Sequence, residues 1–165
     1  MATQQLLIPG YQLRAGWQIE QPRLVKFMQL TYSELFPGRD FAHLARSVDQ
    51  HFSEQTPLWW VEVAAKQQFS DYLTPVPQPV GCLWMGNAVD QVNCVRHAHI
   101  FLVYVVPEHR RRGIGSALMR YAEAWASDRG DRQLSLQVFC VNQPAIDLYR
   151  KLGYQTFSHW MVKPL

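Results

Sequence analysis

Residues 97–129 carry an apolar run, a turn reading Arg110-Arg111-Arg112-Gly113-Ile114-Gly115, and a second apolar run with a different period. In the first run His97, His99, Phe101, Val103 and Val105 alternate with Ala98, Ile100, Leu102, Tyr104 and Val106. Both sets are largely apolar, so the spacing predicts a central strand covered on each face. Ile114, Leu118, Ala122 and Trp125 then recur at helical spacing up to residue 129, and Gly130 suits a left-handed C-cap. A strand, a turn rich in arginine and glycine, and a helix together make an anion cradle. Glycine lets the backbone approach a ligand, the first helical turn offers unpaired N–H groups, and the helix dipole adds partial positive charge. A phosphate-bearing cofactor is the expected guest.

The rest of the chain supplies layers for this unit. After a short strand at 11–15, Leu24, Phe27, Met28, Thr31 and Leu35 predict a helix that stops at Pro37-Gly38, and Phe41, Leu44, Ala45, Val48 and Phe52 predict another. Strands are expected at 58–65 and 80–88, joined by an irregular connection holding Pro75, Pro77 and Pro79, and again at 134–139 and 154–163. Asn142 is placed to N-cap a helix over 143–152, with Pro144 in its first turn and Gly153 at its end. The order is mixed α/β. With 165 residues, 48% hydrophobic and 18% charged, the chain reads as a single domain, 1–165, with its own core.

Several function classes are disfavoured. No stretch is long and apolar enough to span a bilayer, and residues 1–10 lack a secretory signal pattern, so a cytoplasmic location without a membrane partner is expected. Cys82, Cys94 and Cys140 lack the paired spacing of a zinc site; they read as buried or idle thiols, and no metal is expected. The net charge of +3 equals that of Arg110, Arg111 and Arg112 alone. Basicity is therefore local, unlike the spread face of a nucleic-acid binder.

Three phosphate-binding turns compete, and spacing separates them. A P-loop needs Lys then Ser or Thr after its second glycine, but Gly115 is followed by Ser116 and Ala117. A dinucleotide fingerprint needs a third glycine where Leu118 stands. What remains is Arg110-x-x-Gly113-x-Gly115 after Val105-Val106-Pro107-Glu108, joined downstream by Asn142-Gln143-Pro144-Ala145, Leu148-Tyr149 and Leu152-Gly153-Tyr154. In these two elements and their order the chain resembles the GCN5-related N-acetyltransferases.

The resemblance implies an α/β fold of the α+β kind: one domain with a mixed, largely antiparallel sheet, helices on both faces, and a splayed central strand pair holding acetyl-CoA. It implies that the backbone from Arg111 through Arg112, Gly113, Ile114 and Gly115 to Ser116 holds the pyrophosphate, with Arg110 adding charge. Val105 and Val106 would pair with the pantetheine arm, Asn142 would touch that arm, and Tyr149 would lie near the thioester sulfur. Histone-type members carry a glutamate at the position of His99, and aralkylamine-type members carry a histidine there. His99 is thus the candidate base, with His97 as a companion on the same strand face, and a histidine of pKa near 6.5 suits neutral pH. Ribosomal-protein acetyltransferases have a glutamate where this chain has Gln137, which cannot accept a proton. Glu108 and His109 read as solvent-facing.

The activity so implied is direct transfer of the acetyl group of acetyl-CoA to a primary amine on a protein N-terminus, a lysine or a small molecule, in a ternary complex. The alternative is a non-catalytic acyl-CoA-binding or regulatory module. The acceptor is expected at the first two helices and residues 34–40, with 69–79 as a rim, on a monomer or homodimer.

Overall fold

The computed structural model describes residues 4–64 and 78–165. A six-stranded sheet runs in the order β1-β2-β3-β4-β5-β6, formed by β1 (Gln4–Ile8), β2 (Tyr11–Ala15), β3 (Leu58–Val63), β4 (Gly81–Asp90), β5 (Val95–Val105) and β6 (Leu134–Leu136). Neighbours are antiparallel except β5 and β6, which are parallel. The mixed, largely antiparallel fold is the one the motifs imply. β1 lies outside the elements that periodicity predicts; it folds back on β2 through Pro9-Gly10, with Gly10 at φ 86°.

Four helices cover the sheet: α1 (Gln21–Leu35), α2 (Leu44–His51), α3 (Ile114–Asp128) and α4 (Gln143–Lys151). Leu24 and Phe27 of α1 and Val48 of α2 close over Leu58, Trp60, Cys82 and Trp84 on one face. On the other, Ile114, Leu118 and Ala122 of α3 close over Trp59, Val61, Leu83 and Met85. β3 and β4 are therefore buried on both sides, as expected of strands with near-continuous apolar sequence. Each fully buried large side chain contributes roughly 1.5–3 kcal/mol, which makes these layers the anchor of the fold.

β5 departs from simple alternation. Opposite Trp84 and Met85 of β4 stand Leu102 and Ile100, leaving Phe101 as an extra residue. Such a bulge re-aims the side chains beyond it. Ala98 and Ile100 accordingly belong to the α3 face, whereas Leu102 and Tyr104 belong to the α1/α2 face. Val103 and Val105 then pack on the α3 side, apart from the Phe101 with which alternation groups them. Gly86 makes room for the displaced ring, since a Cβ there would enter Phe101.

The closing segments also differ from expectation. β6 stops at Leu136 rather than 139. Residues 155–165 form no strand, and after Tyr154 no backbone hydrogen bond is made among the described residues. An apolar run becomes a strand only where an edge receives its N–H and C=O groups. Residues 65–77, with most of the expected acceptor rim and the end of the 58–65 strand, lie outside the described residues.

Candidate active site

β5 and β6 part company early. They pair at Ala98–Leu134, His99–Ser135 and Ile100–Leu136, after which β5 continues to Val105 with no neighbour on that side. The gap is a narrow cavity of ≈ 80 Å³, lined by Ile100 to Val103 on one wall and Leu136 to Phe139 on the other. Asn142 and Tyr149 reach it from α4, and Thr31, Tyr32 and Leu35 from α1. The Val106 N–H donates to Val80 O at 2.9 Å; in an antiparallel ladder this turns the N–H and C=O of Val105 the other way, toward the open edge.

The arginine-glycine turn sits at the mouth of this gap. Gly113 is the N-cap of α3 at φ 86°, a conformation that glycine adopts without Cβ strain. The Ala117 N–H donates to Gly113 O at 3.0 Å, so the N–H groups of Ile114, Gly115 and Ser116 precede the helical ladder and have no partner within it. Gly115 serves packing: a Cβ there would lie 3.3 Å from Leu148 Cδ2 of α4.

The three arginines have different employment. Arg110 pairs with Glu34 of α1 at 2.7 Å, donates through Nε to Val105 O at 2.7 Å and stacks over Tyr104 at 5.4 Å. Arg112 donates to Tyr11 Oη at 3.0 Å and to Glu108 O at 3.1 Å. Arg110 is thus paired with a carboxylate, whereas Arg112 donates to neutral oxygens only among the described residues. Arg111, at φ 62°, is exposed and makes no side-chain hydrogen bond or ion pair among the described residues. His109 is likewise engaged, with its Nδ1 2.9 Å from Tyr11 Oη, rather than facing solvent. Glu34 also accepts from Tyr104 Oη at 2.6 Å, and burial followed by this carboxylate pushes the Tyr104 phenol above its ordinary pKa. α1 supplies Glu34 and part of the cleft; α2 supplies none of the lining.

His97 and His99 meet at one hydroxyl. Ser135 Oγ lies 2.9 Å from His97 Nε2 and 2.7 Å from His99 Nδ1, and the far nitrogen of His97 faces Val95 O at 3.4 Å and the Gln133 amide at 3.1 Å. His97 is buried. Burial, then the neighbouring His97, lowers the pKa of His99 below 6.5. The pair occupies the closed end of the gap, one position before its first lining residues, Ile100 and Leu136. Tyr149 lines the gap itself, and burial raises its phenol pKa. Asn142 accepts a hydrogen bond from Ala145 N at 3.4 Å as the α4 N-cap, which leaves its amide N–H groups available. Sequence reasoning missed Ser135, and it placed Glu34 with the acceptor without its pairing to Arg110 and Tyr104. Cys140 is exposed and free, and no group of three or more metal-ligating side chains exists among the described residues.

Residues 23–154 match the model of the acetyltransferase (GNAT) family. The chain belongs to this family. Relatives include the streptothricin acetyltransferase of Streptomyces lavendulae, 48% identical over 52 residues that make up 32% of this chain and 28% of that protein. The bovine thialysine N-epsilon-acetyltransferase is 42% identical over 38% of this chain and 37% of its own. The chain thus spans only about a third of the curated relatives it matches most strongly. An N-alpha-acetyltransferase of Sulfurisphaera tokodaii aligns over 88% of this chain and 80% of its own at 24% identity. Among solved structures, an acetyl transferase from Pyrococcus furiosus superposes with a TM-score of 0.71 at 25% identity, over 94% of this chain and 99% of that one. A GNAT-like fold is also present in a Clostridium acetobutylicum protein solved with acetyl-CoA, at a TM-score of 0.69, 15% identity and 93% and 96% coverage.

Proposed function

We propose that this chain is an acetyl-CoA-dependent N-acetyltransferase that moves the acetyl group directly to a primary amine within a ternary complex, acting in the cytoplasm as one domain. The observation that carries the proposal is the early parting of β5 from β6 beside the glycine turn, with Tyr149 lining the gap.

The donor would bind along the open edge. Free N–H groups of Ile114, Gly115 and Ser116 suit a pyrophosphate, and Arg111 and Arg112 add positive charge beside them. The backbone N–H of Val105 would guide the pantetheine arm, with the Asn142 amide donating to it, whereas Val106 spends its N–H on Val80 and its C=O on His109. The thioester then comes to rest between the strands, where backbone N–H groups near the Phe101 bulge can polarise its carbonyl.

The transfer balances as follows. The acceptor ammonium gives up one proton toward His99, directly or through water, and its nitrogen attacks the thioester carbon. As the tetrahedral intermediate collapses the C–S bond breaks, Tyr149 Oη–H protonates the departing thiolate, and the second proton of the attacking nitrogen returns to the phenolate, which leaves a neutral amide, a free thiol and one proton on His99 for solvent. Burial raises the phenol above its ordinary pKa and keeps it protonated at neutral pH, so it has a proton to give as thiolate charge develops. Ser135 fixes the base. Ser135 Oγ holds His97 through Nε2 and His99 through Nδ1, and the tautomer with hydrogen on His99 Nδ1 leaves the Nε2 lone pair for the incoming proton.

Initial-velocity measurements with acetyl-CoA and a panel of α-amines, lysine peptides and small amines test this reading. Intersecting double-reciprocal lines and no acetylated enzyme are expected. Parallel lines with an isolable acetyl-Cys140 would overturn direct transfer, and tight acetyl-CoA binding without turnover on any amine would favour the non-catalytic module.

A further inference from the structure

Arg110 lies across the one stretch of β5 that has no strand beside it. Past Ile100, the carbonyls that β5 turns toward the gap are those of Val103 and Val105, because hydrogen-bonding direction alternates along the ladder with β4. Arg110 Nε donates to Val105 O at 2.7 Å. Its Nη2 reaches onward to α1, 2.7 and 3.0 Å from the two carboxylate oxygens of Glu34. The guanidinium stands 5.4 Å from the centre of the Tyr104 ring, whose hydroxyl donates to the same carboxylate at 2.6 Å. The side chain therefore bridges the open edge from the turn to α1. Only the side chain is held this way. The backbone of the turn is fixed separately, with Val106 O accepting from the His109 N–H at 3.0 Å and Pro107 O from the Arg110 N–H at 3.1 Å. The guanidinium can thus swing off the edge without disturbing the glycine turn.

A donor arm needs what Arg110 occupies. The Val105 N–H and the Asn142 amide offer the arm donors, but its own amide N–H groups need acceptors, since an amide taken from water without a partner is costly. An arm pairing with β5 would set an N–H about 2.9 Å from Val105 O, the oxygen that Arg110 already holds. A carbonyl can accept twice, yet the guanidinium that takes one place also fills the edge beside it. The arm and the closed side chain therefore compete.

We infer that Arg110 and Glu34 form a latch across the donor edge, closed in the donor-free protein and displaced by the arm of acetyl-CoA. The inference rests on the donor site proposed above. Closed, the latch covers an unpaired strand edge with charge, which keeps other strands from adding to it. Its ion pair is 40% and 36% exposed, so solvent screens it and the donor can open it at modest cost. Glu34 neighbours Thr31, Tyr32 and Leu35 on α1, which line the gap. Opening the latch thus also unties this wall from the donor turn.

Calorimetry on the full chain tests the latch with acetyl-CoA and with ADP, a probe that carries a pyrophosphate and no arm. Arg110→Ala should bind acetyl-CoA about 3–10-fold more tightly than the wild type, because a competing hydrogen bond is gone. It should bind ADP no more tightly. Glu34→Gln, which leaves Arg110 without its anchor, should tighten acetyl-CoA by a smaller factor, and the double variant should match Arg110→Ala alone. By NMR, the Arg110 Nε–H should exchange slowly with solvent in the donor-free wild type and faster in Glu34→Gln or with acetyl-CoA bound. An Arg110 that binds phosphate predicts the reverse, a loss of affinity for both probes on removal of its side chain. Unchanged or weaker acetyl-CoA binding by Arg110→Ala, equal tightening of ADP, or slow Nε–H exchange that acetyl-CoA does not speed would overturn the latch. Failure of the wild type and both variants to bind either probe would instead overturn the donor site, and the latch with it.

Discussion

Residues 4–126 and residues 127–165 are packed differently. In the first region every strand from β2 to β5 and each of α1, α2 and α3 contributes side chains wholly removed from solvent, while no residue after Ala126 is fully buried. The second region nonetheless holds β6, α4, Asn142 and Tyr149. The cleft therefore opens along a seam between a rigid body and a unit held by partial contacts such as Leu148 against Gly115 and Tyr149 against Tyr154. The difference teaches that the donor-binding turn is anchored in the densest part of the molecule, whereas the acid and one wall of the gap belong to the part that depends most on what lies beside it.

The contrast is sharpest in stability. Trp60→Ala removes a fully buried ring and should cost about 3–5 kcal/mol, whereas Leu148→Ala should cost about 1 kcal/mol, both read by urea unfolding. Equal losses would erase the distinction between the two regions. Chemistry comes next: Tyr149→Phe should lower kcat by about 10²-fold, or about 2.7 kcal/mol, with acetyl-CoA affinity unchanged by calorimetry. Gly86→Ala forces Phe101 out of its place at the β5 bulge and should destabilise by about 1–3 kcal/mol, a body-side defect that also disturbs the oxyanion contacts.

The smallest effect is on pH. His99 must be neutral to accept a proton, and burial with the adjacent His97 lowers its pKa from 6.5. Protonation is thus delayed as pH falls: the rate should hold through pH 6.5 and decline only below it. His99→Gln should remove that decline, and Ser135→Ala should move its midpoint. A mutant profile superposable on the wild type would exclude His99 as the base.

Much of the fold was readable because its causes are local. Pro22 in the first turn of α1, the stop before Pro37-Gly38, Gly113 and Gly130 at the ends of α3, and Asn142 capping α4 all act within a few residues of themselves. The motif around Gly113 and Tyr149 likewise pointed to a donor site. Partners distant in sequence were not readable. Arg110 finds Glu34 across 76 positions, Arg112 finds Tyr11 across 101, and Ser135 joins two histidines 36 and 38 positions earlier. Nothing in composition or period marks such pairs. The Phe101 bulge escaped for a related reason, because a strand with apolar residues on both faces reads the same whether or not it changes sense midway. Segment 155–165 has the pattern of a strand; only the structure reveals that it pairs with no edge among the described residues.

Mass-spectrometric detection of the acetylated amine, alongside calorimetric binding of acetyl-CoA, for the wild type and Tyr149→Phe tests the account most directly. The account predicts equal donor binding by both proteins, N-acetylated product with matching thiol release from the wild type, and product formation slowed about 10²-fold in the variant. Equal rates from the two proteins, or donor binding by the wild type with no product on any amine, would contradict it.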